Sequence, residues 1–252
     1  MLQQINLRCD TISEREEQFL KVLLMYDLII KNGLIYDGKG GRPFKADIAI
    51  LEEKIVSVGS IKGESKKTID ASGRIVTPGF VDIHTHYDGQ VTWDPYLRPS
   101  TYHGVTTVVM GNCGVGFSPC KPDQRDWLIG LMEGVEDIPG TALHEGIDWE
   151  WESFPEYLDA LEKKPLAIDV GTQIPHGAVR AYVMGERGIN HEEATEEEIK
   201  KMKQIVKEAI EAGAYGFSTS RTEKHNDVNG NLTPSITAVS YTHLRAHETD
   251  YY

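Results

Sequence analysis

The chain has 252 residues, 40% hydrophobic and 26% charged, an ordinary composition for a globular protein with a core. Its formal net charge of −13 repels phosphate backbones, which sets nucleic acid aside as a partner. No apolar run approaches the about 20 residues that span a bilayer, so no membrane partner is expected, and three scattered cysteines, Cys9, Cys113 and Cys120, suggest reduced thiols in a cytoplasm.

Residues 1–24 are polar and charged, with no clear strand. Phe19–Leu24 is apolar but short and broken by Lys21, so it is not a secretory signal. Met25 opens the first clean pattern, and residues 1–24 are expected to be a non-native or disordered extension; a short helix around Glu14–Leu24 is the alternative. From Asp27 to Asp70 the pattern is strand and turn. Asp27–Lys31 ends in Asn32-Gly33, a hairpin signal, and Leu34–Tyr36 ends in Asp37-Gly38. Ala46–Leu51 and Lys54–Val58 flank a tight reversal at Glu52-Glu53, and Thr68–Asp70 and Arg74–Thr77 flank Ser72-Gly73. Residues 25–78 are therefore expected to be a small antiparallel β unit, near the lower size limit for an independent core.

After Pro78-Gly79 the pattern changes. Phe80–Ile83, Val105–Met110, the Ile168–Gln173 region and Ala214–Ser218 read as buried strands. Helical spacing lies between them at Asp126–Val135 and Pro155–Lys163. It is clearest within Glu192–Ala212, where Thr195 caps and Ile199, Met202, Ile205, Val206 and Ile210 form one stripe ended by Gly213. Apolar strands alternating with helices predict a parallel α/β sheet. The tail differs again. Val239–Thr249 matches, codon by codon, the translation of a transposase-type sequencing adapter, so residues 239–252 are expected to be adapter-derived and to pack against nothing. The pair His243 and His247, four apart, is accordingly not read as a zinc site.

The chemistry concentrates in Thr77-Pro-Gly-Phe-Val-Asp-Ile-His-Thr-His86. A strand places His84 and His86 on one face, and at its C-terminal end two such imidazoles can chelate one zinc. In Gly104–Gly114 a second apolar strand ends in a Gly-rich loop with Cys113 just past it. A lone cysteine reads first as a small hydrophobe, but beside the H-x-H of a neighbouring strand a thiolate ligand is the expectation. Cys120 reads as a bystander. His103, His144, His191 and His225 read as surface or packing residues.

At this point the chain resembles the D-aminoacylase branch of the amidohydrolase superfamily. The resemblance is carried by Asp27–Gly33, Pro78–His86, Gly104–Cys113, Asp169–Gly177 and Gly213–Arg221. It implies an α/β fold: a partial TIM-like (β/α)8 barrel over residues 79–238, preceded by the residue 25–78 part of a small antiparallel β-sandwich. It further implies zinc-dependent hydrolysis of N-acyl-D-amino acids, with His84, His86 and Cys113 as metal ligands. Further histidines and a general-base aspartate would come from sequence after Ala238, so the chain is expected to be truncated before the site is complete. His176 and Arg221 lie where they could line a substrate pocket, and Arg221 could pair with a substrate carboxylate; for each, a solvated loop position is the alternative. Hydantoinases and dihydroorotases use a carboxylated lysine at the fourth strand, where this chain has Gly216-Phe-Ser-Thr-Ser220. A cyclic-amide hydrolase is therefore the rival enzyme reading, and an inactive fragment with partial metal binding is the rival from another class.

Overall fold

The computed structural model describes residues 25–236, so the expectations for residues 1–24 and 239–252 lie outside the described residues. The chain divides into two compact units, the first ending at Pro78 and the second beginning at Gly79.

The first unit is one sheet. Strands β1 (Tyr26–Ile35), β2 (Phe44–Leu51) and β3 (Lys54–Gly59) form an antiparallel meander. Strands β4 (Ser65–Asp70) and β5 (Ile75–Val76) both run parallel to β1, giving the order β3-β2-β1-β4 with β5 also on β1. The expected antiparallel β-sandwich is corrected here: the described residues form a single mixed sheet. Residues 60–64 carry the chain from β3 to the far side of β1, and Ile61 packs on the Tyr26, Ile29 and Ala49 cluster along the way. A connection that crosses the sheet in this way delivers the next strand parallel rather than antiparallel.

Asn32-Gly33 is likewise a bulge, not a hairpin. β1 runs straight through it, the register against β2 shifts between Ile30 and Gly33, and Asn32 takes a left-handed φ of 61°. Both sides of β1 are occupied, so the irregularity is absorbed within the ladder. Asn32 N–H donates to Asp47 (2.9 Å) and its amide to Asp70 (3.0 Å), while a Cβ on Gly33 would lie 2.6 Å from Val76. The reversal at Glu52-Glu53 is as expected, with φ of 49° and 62° joining Leu51 to Lys54. Two positive-φ residues in a two-residue hairpin suit Asn-Gly far better than Glu-Glu. Glu52→Asn with Glu53→Gly is expected to stabilise this unit by about 1 kcal/mol; an unchanged urea midpoint would count against the turn assignment.

In the second unit β6 (Phe80–Asp82), β7 (Val105–Met110) and β8 (Asp169–Thr172) are parallel neighbours in that order. β9 (Ile174–Pro175) pairs in parallel with β10 (Phe217–Ser218). Gln173, between β8 and β9, donates its N–H to Met110, and Tyr215 N–H reaches Thr172 O, so the parallel ladder continues towards β10. The intervening helices are α1 (Arg125–Glu136), α2 (Gly140–Gly146), α3 (Phe154–Glu162), α4 (His176–Met184), α5 (Glu186–Ile189) and α6 (Glu196–Ala212). The architecture is thus mixed α/β. Val108, Met110 and Ile174 from the strands pack with Leu128, Leu131, Phe154 and Tyr157 from the helices in one core.

Thr195 caps α6 as expected, accepting from Glu198 N–H while Glu198 accepts from Thr195 N–H at 2.8 Å. The expected stripe packs on the core through Ile199, Met202, Ile205 and Val206, but Ile210 is 45% exposed and Ala209 beside it is fully buried. α4 was not expected, because residues 176–181 are buried without a polar stripe and so show no helical alternation. Among the described residues no helix is long and apolar enough to cross a membrane.

Candidate metal centre

The sheet itself aims the two histidines. Beyond β6 the ladder goes on: Thr85 N–H donates to Val109 O at 3.0 Å, and the Thr85 hydroxyl bonds the same oxygen. Thr85 is therefore turned onto β7 and buried. Its neighbours His84 and His86 project to the other side, with ring centroids 5.5 Å apart.

A tight loop after β7 brings in the sulfur. Gly111, Cys113 and Gly114 all have positive φ (73°, 56° and 73°). Asn112 stitches this loop down, donating to Thr85 O and Val109 O and accepting from Gln173 Nε2 at 2.8 Å. Ser218, from β10, donates to Gly111 O and accepts from Gly114 N–H at 3.0 Å. The extension of β6, the end of β7, the junction of β8 and β9, and β10 thus meet at one loop. Cys113 Sγ lies 3.2 Å from His84 Nε2, and one donor atom each from His84, His86 and Cys113 all lie within 4.8 Å of one another. Two imidazoles and a thiol are a zinc-type donor set. His86 Nδ1 is buried with no hydrogen-bond partner among the described residues, so a polar atom of this cluster is left unmet. The residues present fit a metal.

Without a cation the surroundings favour neutral forms. Burial, then His84 and His225, holds the His86 imidazole down to about 4. Burial first, with Glu136 and Asp88 nearby, raises the Cys113 thiol. Burial, reinforced by Asp137, lifts Glu136 to about 7, and burial lifts the fully enclosed Asp88 to about 7. A bound cation reverses this preference for ligands that must be deprotonated.

Two neighbours of the site, Asp88 and Glu136, went unread in the sequence, and a third, His225, was given no role there. Asp88 continues the alternation of His84 and His86, a signal that was available. His225, read as surface or packing, is depressed by burial and by the charge of His84. Glu136 closes α1, and its Oε1 lies 3.1 Å from His86 Nε2; nothing local in the sequence marks it.

His176 and Arg221 are not among the converging donors. His176 is 5% exposed at the start of α4, bonded through Nδ1 to the Thr219 hydroxyl at 2.9 Å, its ring 5.1 Å from Phe217. Arg221 is exposed and bonds no side chain or carbonyl among the described residues. Cys120 is buried in the core, its thiol pushed up to about 12 by burial.

His176 makes a pH prediction. Burial, then Arg180, depresses it from 6.5 to about 4 in the folded chain. Between these values the unfolded chain takes up a proton that the folded chain refuses, so stability falls as pH drops through that window and is full above it. His176→Asn should lose less stability than the unaltered chain between pH 7 and pH 5; equal losses in urea titrations would refute this.

Comparison with known proteins bears on the same region. Residues 67–247 match the amidohydrolase family. A D-aminoacylase of Alcaligenes xylosoxydans xylosoxydans is 34% identical over 195 residues, 77% of this chain and 37% of that protein. An N-acyl-D-aspartate deacylase of the same organism is 32% identical over 229 residues, 87% of this chain and 43% of that protein. The crystal structure of an N-acyl-D-glutamate deacylase of Bordetella bronchiseptica, complexed with zinc and a phosphonate inhibitor, is similar with a TM-score of 0.65 and 32% identity, over 78% of this chain and 38% of that one. The chain therefore spans about two fifths of the length of these relatives. The matched residues include the converged His84, His86 and Cys113, and the chain belongs to the amidohydrolase family.

Proposed function

We propose that the protein is a zinc-dependent deacylase that hydrolyses the amide bond of N-acyl-D-amino acids. In this reading residues 79–238 are the N-terminal half of a TIM-like (β/α)8 barrel and residues 25–78 its accessory β unit. The observation that carries it is the convergence of His84, His86 and Cys113 at the C-terminal ends of neighbouring parallel strands, the end where barrel active sites form. His84, His86 and Cys113 would hold the metal, which supplies Lewis-acid activation of water and of the scissile carbonyl. Arg221 offers its exposed guanidinium to the substrate carboxylate, as a bidentate donor. His176, closed in by Thr219 and Phe217, shapes the pocket wall. The absence of a lysine in Gly216–Ser220 favours a linear amide over the cyclic amides of carboxylated-lysine relatives. The unpaired thiols of Cys113 and Cys120 suit a cytoplasm.

The test is zinc content together with hydrolysis of N-acetyl-D-amino acids and of hydantoins. The protein carrying this sequence at its relatives' full length should hydrolyse the first class. Residues 1–252 alone should bind zinc without turnover. Preference for hydantoins would sink the deacylase reading, and turnover by residues 1–252 would show that their site is complete.

A further inference from the structure

We infer that Thr219 is a positioning residue for the substrate: tied through its hydroxyl to His176, it holds the segment after β10 so that Arg221 meets the carboxylate of an N-acyl-α-amino acid whose amide lies by the Cys113 loop. The inference rests on the deacylase reading above and on its assignment of Arg221.

Residues 218, 219 and 220 are each tied to a different part of the second unit. Ser218 accepts from Gly114 N–H at 3.0 Å. Thr219 Oγ1 lies 2.9 Å from Nδ1 of the buried His176. Ser220 O accepts from the buried Ser235 hydroxyl at 2.8 Å. The loop that carries Cys113 lies flat on the same segment: a Cβ on Gly114 would stand 3.2 Å from Thr219 Cα and 3.4 Å from Ser220 N. The start of α4 closes the ring, since a Cβ on Gly177 would stand 2.8 Å from Gly114 O. The Cys113 loop, the start of α4 and residues 218–220 therefore brace one another, and close packing leaves none of them room to shift alone.

Arg221 comes next in the chain. It follows β10 as Cys113 follows β7, and the parallel ladder from β7 through β8 and β9 to β10 puts both at the same end of the strands. The backbone is pinned as far as Ser220, while the Arg221 side chain is exposed and bonds no side chain or carbonyl among the described residues. A cation with a fixed base and a free tip reaches a limited range of positions, and a guanidinium can clasp a carboxylate through two parallel hydrogen bonds. In an N-acyl-α-amino acid a single carbon separates the carboxylate from the amide nitrogen, so a braced Arg221 selects substrates of that spacing. Thr219 is the tie most cleanly cut: its bond joins two side chains, whereas those of Ser218 and Ser220 end on backbone.

The test uses the full-length protein, unaltered and as Arg221→Ala, Thr219→Val, Thr219→Ser, His176→Phe and the double variant Thr219→Val with His176→Phe. The substrates are N-acetyl-D-amino acids and their amides, in which a neutral carboxamide replaces the carboxylate. Arg221→Ala should lower the kcat/KM preference for the carboxylate by about 100-fold. Thr219→Val should lower it by about 10-fold, through KM more than kcat. Thr219→Ser keeps the hydroxyl and should restore the preference. His176→Phe should match Thr219→Val, and the double variant should fall no further, because the same bond is lost in all three. A Thr219 that serves stability alone would slow both substrates alike; that result, or an unchanged preference in Thr219→Val beside a lost one in Arg221→Ala, would overturn the inference and leave the assignment of Arg221 standing. If Arg221→Ala keeps the preference, that assignment fails and the inference with it. If the unaltered protein hydrolyses neither substrate, the deacylase reading itself fails and both fall.

Discussion

Cys113→Ala should strip zinc from the protein, weakening its binding by more than about 100-fold, because a direct ligand matters more than the outer partners whose loss costs about 10–100-fold. The side chain stands 3.2 Å from His84 Nε2 on a loop pinned by Asn112 and Ser218, so no other sulfur can replace it. Its sulfur, as a thiolate, would be the soft donor beside the two imidazoles of the cluster. Truncation removes one atom and leaves the loop's own hydrogen bonds, which run through other side chains. Cys120→Ala is the control. Cys120 is enclosed in the core, donating to Lys121 O, so its loss should cost some stability and no metal. Zinc content and hydrolysis of N-acetyl-D-amino acids by the full-length variants decide the matter. If Cys113→Ala keeps full zinc and full activity, Cys113 is a buried hydrophobe and the assignment of the centre is wrong.

Gly111→Ala should be the most damaging single methyl in the second unit. Gly111 has a φ of 73°, a region costly to side chains, and a Cβ there would lie 2.0 Å from the carbonyl oxygen of Gln173. That neighbour is backbone in the ladder, bonded through Gln173 N–H to Met110 O, and cannot swing aside. Strain and overpacking together suggest a loss on the order of 3 kcal/mol. Relief would require the loop to lift from β8 and β9, which would carry Cys113 away from His84. The variant should therefore lose metal affinity along with stability, although it alters no ligand. Urea unfolding followed by zinc titration of the folded fraction tests both. A variant as stable as the unaltered chain would show that the loop does not approach Gln173 as described.

What could be read along the chain was whatever depends on near neighbours. The boundaries of Val105–Met110 were legible because a run of β-branched residues is closed at both ends by glycine. The Thr195 cap and its Glu198 partner lie three residues apart and form one local motif. Period-two alternation predicts His84 and His86 on one face, and although β6 ends at Asp82 the Thr85 N–H bond to Val109 O holds the stretch between them on β7. Asn32-Gly33 carried a true local signal, a positive φ, but the same conformation serves a hairpin or a bulge. Only the occupied edges on both sides of β1 decide between them.

The direction of β4 and β5, the burial of residues 176–181 on all sides of α4, and the burial of Ala209 where Ile210 is exposed all depend on which distant segment packs alongside. The centre divides in the same way. Residue types and their spacing pointed to two imidazoles and a thiol near strand ends. The tertiary structure decided that Cys113 meets His84, that Ser218 and Gln173 hold the loop between them, and that Glu136 reaches His86 from the far end of a helix. The physical reason is range: alternation, capping and turn conformation are set by covalent geometry over a few residues, whereas the meeting of Glu136 with His86 is set by how α1 packs against the parallel strands, an arrangement that no short stretch of sequence encodes.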